Sequence, residues 1–189
     1  PVEFRAGEPD TLGSLKAYLV LTELMYNAPS GPDFDYIELH NNSTDTTLDL
    51  GGVTLSGGVR FVVPAGLTLA PGQYALIIGH DDEASFHAHY RLARETTVLG
   101  TYSGKLANNG ETLRVRSAAD GAVLVTLDYE DEGNWPKLAD GGGHSLVPLV
   151  LDPAKQALGA LDDANSWQPS AAAGGSPGLE DSPAPADDD

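Results

Sequence analysis

The sequence has 189 residues, no cysteine, and 28 Asp and Glu against 10 Lys and Arg, a net charge of -18. That length fits one domain whose core needs no staples, and the missing cysteines exclude disulfides, thiolate metal sites and a cysteine nucleophile. The basic residues are scattered, which makes nucleic acid and anionic membrane surfaces poor partners, and no run of about 18 apolar residues marks a helix that inserts in a membrane.

In chain order, residues 1–16 are polar and punctuated by Gly and Pro, and read as linker. The opening has no Met and no charged-then-apolar signal pattern, so the chain is expected to be a piece of a longer polypeptide. Short runs rich in β-branched and aromatic residues follow, bounded by Gly, Pro, Asn and Asp. They predict strands over 18–26, 34–41, 46–50, 52–56, 59–64, 73–80, 111–117, 122–130 and 144–150. "PAGLTLAPGQY" places a further short strand between two turns, and the Asp-Gly pair in "SAADGAV" is a hairpin signal. One short helix is predicted over 81–93, capped by Asp81 or Asp82, with Phe86, Tyr90 and Ala93 on one face. The last stretch is rich in Ala, Gly, Ser and Pro and then acidic, and 179–189 reads as a disordered tail. The folded domain is thus expected over 17–178. Many short strands at close spacing mean an all-β sandwich or barrel.

Two glutamates stand out. Glu23 and Glu38 each sit in the middle of an apolar run, and glutamate is seldom buried without a partner. Strict alternation puts Glu23 on a face with Leu19, Leu21 and Met25, and Glu38 on the more polar face with Tyr36 and His40. In one reading Glu23 accepts backbone hydrogen bonds that organise "NAPSGPDFD", while Glu38 faces solvent. In the other the two strands are neighbours, and Glu23, Asp35 and Glu38, with Asp33 nearby, are oxygen ligands for calcium; no other cofactor is indicated.

Other chemistry is weaker. His87 and His89 diverge on a helix and read as surface. His144 and Ser145 are adjacent on a strand, point to opposite faces, and make a poor base–nucleophile pair. Asp162, Asp163 and Asn165 read as a turn ahead of Trp167. Trp135 and Trp167 read as seals at the ends of the core rather than as exposed ligand platforms. No phosphate loop, dinucleotide fingerprint or zinc-protease helix occurs.

"LVLTELMYNAP" followed by "DFDYIELHNNS", then "LDLGGVTLSGGVRFVVPAGLTLAPGQYALII", "YSGKLANNGETLRV", "NWPKLADGGGHSL", "DDANSW" and "GGSPG", resemble the lamin tail domain family in this order, over roughly residues 18–178 and most closely in its bacterial branch. The resemblance implies an immunoglobulin-like β-sandwich and a non-catalytic accessory or interaction module. It implies a place in an exported or surface-attached bacterial multidomain protein, and so an extracellular or cell-surface location. The expected partner is a protein or a cell-surface component, bound by a domain that is itself monomeric. The basic surface through which some lamin tails meet DNA has no counterpart in this acidic chain. A calcium-dependent carbohydrate-binding module and, behind it, a hydrolase are the alternative functions.

Overall fold

The computed structural model describes residues 11–181. The expectations for residues 1–10 and 182–189 lie outside them. Thirteen strands are present among the described residues: β1 (Leu19–Met25), β2 (Tyr36–Asn41), β3 (Leu48–Asp49), β4 (Thr54–Ser56), β5 (Val59–Val62), β6 (Thr68–Leu69), β7 (Tyr74–Ile78), β8 (Thr97–Thr101), β9 (Ser103–Gly104), β10 (Glu111–Arg116), β11 (Val123–Tyr129), β12 (Leu146–Pro148) and β13 (Trp167–Pro169). One sheet runs β13-β12-β1-β2-β7-β8 and a second β11-β10-β4-β5-β9, with β3 and β6 as a separate pair. This is the immunoglobulin-like sandwich.

The main core lies between the two large sheets. Leu19, Leu21, Leu24, Ile37, Leu39 and Ile77 from one meet Leu55, Leu113, Val115, Val125 and Leu127 from the other. The Asp-Gly turn joins β10 and β11 in antiparallel register, as its sequence predicts. Trp135 and Trp167 are both buried in this core with ring centroids 6.1 Å apart, and the Trp167 indole N–H donates to Leu161 O at 2.9 Å. They are buried rather than exposed platforms, as expected, but they pack against one another in one place instead of closing separate ends of the core.

Among the described residues three short α-helices replace the single one expected: α1 (Thr11–Tyr18), α2 (Glu83–Tyr90) and α3 (Pro153–Ala157). Helix α1 takes in residues read as linker, and it buries only Leu15. One buried side chain in two turns leaves no periodic signal. Helix α3 is little more than one turn, too short to be stable or legible alone. Helix α2 is the predicted one, trimmed, and Asp82 caps it by accepting from Ala84 N at 3.1 Å. The unpredicted β8 runs parallel to β7. A parallel connection has to cross one face of the sheet, and that crossing is α2.

Helix α3 completes strand β1. The β12 pairing with β1 is confined to Leu24 opposite Leu146, which leaves the backbone at Leu21 without a strand partner on that side. The wholly buried Gln156 substitutes for one: its Oε1 accepts from Leu21 N at 2.8 Å, and its Nε2 donates to Leu21 O at 2.9 Å and Val150 O at 2.8 Å. Gln156→Ala strands a buried N–H and two carbonyls, and is expected to cost about 2–4 kcal/mol of stability in urea unfolding. A loss below about 1 kcal/mol would mean that water takes over the role.

Candidate functional site

The six-stranded sheet has its inner face in the main core. Its outer face is covered too. The cause is a β-bulge in β1. Leu21 pairs with Leu39, but the next paired residue is Glu23, opposite Glu38. Thr22 is the extra residue, so the alternation of faces resets there. Leu24 and Tyr26 take the inner positions that strict alternation assigns to Glu23 and Met25. Glu23 therefore stands outward, on the face away from Leu19 and Leu21, which corrects the face assigned from the sequence.

Around the two glutamates the outer face is not solvated. Glu23 and Glu38 are each 1 % exposed. The expectation that Glu38 meets solvent fails because two elements close over it. Helix α2 lays Phe86 and Tyr90 against Tyr36, at centroid distances of 6.1 and 5.3 Å. Met25, Leu76, Ile78 and Ala28 complete this smaller core. Beside it, residues 170–181 cross the sheet as a strap, anchored by Ser170 N to Ser145 O at 2.9 Å and Gly174 N to Gly143 O at 2.6 Å.

The strap is held by the two carboxylates. Ser176 N donates to Glu23 Oε1 at 3.0 Å, and Ser176 Oγ to Glu23 Oε2 at 3.4 Å. Ser145 Oγ donates to Glu23 Oε1. Gly178 N donates to Glu38 Oε2 at 2.6 Å, and Thr22 Oγ1 to Glu38 Oε1 at 2.7 Å. The Tyr36 hydroxyl, beside Glu23, donates to Gly174 O at 3.3 Å. Gly175 has φ +74°, and a Cβ there would collide with the Glu23 carboxylate and the Tyr36 hydroxyl. The strap's backbone can come this close only as glycine. Residues 179–181, read as the start of the tail, belong to the strap: Leu179 N donates to Ser176 O at 2.9 Å and Asp181 Oδ1 accepts from Ala171 N at 3.0 Å.

Burial pushes the Glu23 carboxyl up to about 7, against the pull of its Ser145, Ser176 and Tyr36 hydrogen bonds. Burial and the facing Glu23 charge hold Glu38 well above the ordinary carboxylate range. Two carboxyls so placed hold protons that exposed ones would release. Chemically the pair is a double acceptor for backbone N–H groups.

Asp35 lies elsewhere. It shares the inward parity of Ile37, on the opposite face from Glu38. Its Oδ1 accepts from Ala28 N at 2.9 Å, so it pins the "NAPSGPDFD" loop, the task the sequence reading gave to Glu23. Burial pushes it up to about 7 as well. The structure thus brings Glu23 and Glu38 together and leaves Asp35 apart. Among the described residues no group of three or more His, Asp and Glu side chains is arranged to hold a metal ion.

His144 and Ser145 diverge as expected: the His144 ring meets Ser170 O at 2.7 Å while Ser145 turns to Glu23. His89 is exposed on α2 and lies over Phe34 at 3.9 Å; His87 is half-buried, 3.7 Å from Glu83. Thr22, Ser145, Ser176 and Gly178 were missed as partners of the glutamates. The "GGSPG" stretch was the available signal, since clustered glycines mark close backbone approach.

On either side of the strap the outer face stays open as a groove. One, of about 410 Å³, runs by Met25, Pro29 and Tyr90; the other, of about 560 Å³, by Thr22, Glu38, His40, Tyr74, Leu149 and Leu151. The Lamin Tail Domain family model matches residues 14–131, more than half of the chain; β12, α3, β13 and the strap lie beyond the matched stretch. No curated protein matches the sequence.

Proposed function

The chain belongs to the lamin tail domain family, and from that premise we propose that it is a non-catalytic interaction module of an exported bacterial multidomain protein, binding a protein partner or a cell-surface component. The family is immunoglobulin-like and non-enzymatic, and points to protein interaction. The observation that carries the reading is where the buried polar groups point. Glu23, Glu38, Asp35 and Gln156 are all turned on the chain's own backbone, at Ser176, Gly178, Ala28 and Leu21. Buried polar chemistry is spent on architecture, and large aliphatic side chains such as Leu149 and Leu151 are left at the surface.

The test has two arms. The chain is expected to turn over none of a panel of esters, phosphates and glycosides. Immobilised, it is expected to retain a defined protein or polymer from the envelope and secreted fractions of the source cells. Turnover that co-purifies with the chain would overturn the non-catalytic reading. Failure to retain anything from those fractions would overturn the interaction reading.

A further inference from the structure

Building on the interaction-module reading, we propose that the larger groove, between the strap and the loop after β12, is the docking site for a partner segment that carries a lysine or arginine next to an aliphatic side chain. Its volume of about 560 Å³ falls in the range of ligand-binding clefts, roughly 300–1,000 Å³. The floor is the outer sheet face at Thr22, with His40 and Tyr74 stacked at 4.1 Å and 17°. One wall is the strap, which brings Glu180 and Asp181; the other is the loop that carries Leu149 and Leu151.

Charge selects the occupant. Among the described residues no Lys or Arg lines the groove. Burial holds His40 below its ordinary value, so it does not offset the carboxylates. Glu180 lies close enough to act on both His40 and Tyr74. Leu149 and Leu151 are 56 % and 50 % exposed on one rim, and apolar side chains clustered at a polar-edged cleft mark docking surfaces. A lysine or arginine satisfies both walls, because its aliphatic stem packs on leucine while its head reaches a carboxylate. The chain's own stretch "SPAPADDD", residues 182–189, carries three aspartates and no Lys or Arg, so its composition is not that of the occupant. A second copy is also disfavoured, since each chain carries a net charge of -18.

The probe is a fluorescein-labelled peptide, Gly-Leu-Lys-Leu-Lys-Gly, read by anisotropy against the 189-residue chain. Two controls replace its lysines by glutamate or its leucines by serine. The parent peptide is expected to bind and both controls to fail. Leu151→Asp and Glu180→Lys are each expected to weaken binding about tenfold, the scale of one central contact. Leu158→Asp changes a leucine that is 87 % exposed and outside the groove, and should leave binding unchanged. The sign of the Leu151→Asp effect is decisive. That change adds a negative charge, so mere attraction to an acidic surface would strengthen binding, whereas docking weakens it. Absence of parent-peptide binding, equal binding of the serine control, or undiminished binding by a folded Leu151→Asp protein would overturn the groove. An envelope partner retained equally by the Leu151→Asp chain would also overturn it while leaving the interaction-module reading in place.

Discussion

Gly175→Ala should lower the midpoint of thermal unfolding by about 10 °C, while Gly121→Ala should lower it by only a few degrees. Both glycines have similar backbones, φ +74° and +68°. A left-handed conformation costs alanine about 1–2 kcal/mol at either position. The surroundings differ. A Cβ at Gly121 meets nothing within 4 Å, whereas one at Gly175 collides with Glu23 and Tyr36. Seating the strap would then require the buried carboxylate to move away from Ser176 N, and a buried acceptor and donor would part. A further 2–3 kcal/mol is the scale of such a loss. In a domain of this size each kcal/mol moves the midpoint by about 2–4 °C. Equal drops for the two variants would mean that the strap is not seated on the carboxylate pair, and the clamp would have to be abandoned.

Stability should fall as pH rises from about 5 to 8, and Glu38→Gln should remove much of that fall. The folded protein holds protons on Glu23 and Glu38 more tightly than the unfolded chain does, because burial raises both groups. Their contribution is therefore complete below the unfolded value of 4.5, and is lost as pH climbs through about 7 for Glu23 and through the raised range of Glu38. For Glu23 the shift from 4.5 to about 7 corresponds to about 3 kcal/mol. Asp35 adds to the same slope, since it too is raised, from 3.8 to about 7. His40 opposes it partly, because a lowered histidine favours the fold as pH rises. Glutamine at position 38 keeps an acceptor for Gly178 N, and the Thr22 hydroxyl can turn to accept from its amide. The variant should match the wild type near pH 5 and exceed it at pH 8. A flat wild-type profile, or one that the variant follows throughout, would refute the buried pair as a proton-holding unit. A midpoint raised by millimolar calcium at pH 8 would instead mean that the pair takes a cation.

Much of the fold was legible because its signals are local. The β-branched runs between turn residues located β1, β2, β7, β10 and β11. The Asp-Gly turn joined β10 to β11, and an aspartate before Phe86 and Tyr90 marked the start of α2. The glutamates drew attention for a sound reason: a charge in an apolar run has to be accounted for. Their setting was not legible. Alternation is counted residue by residue, and one bulge at Thr22 inverts every face after it. Nothing adjacent to Thr22 announces that bulge; it is fixed by how β1 packs against β2. The partners of the pair are remote as well, Ser145 lying 122 residues from Glu23 and Ser176 lying 153 away. The same holds for Gln156, 135 residues from the strand it completes. By itself the sequence determined which stretches pair as strands and that two glutamates would need partners, since propensity and polarity belong to each residue. Only the tertiary structure decided that those glutamates face one another beneath the C-terminal strap, because burial and hydrogen-bond partners are properties of where the chain returns.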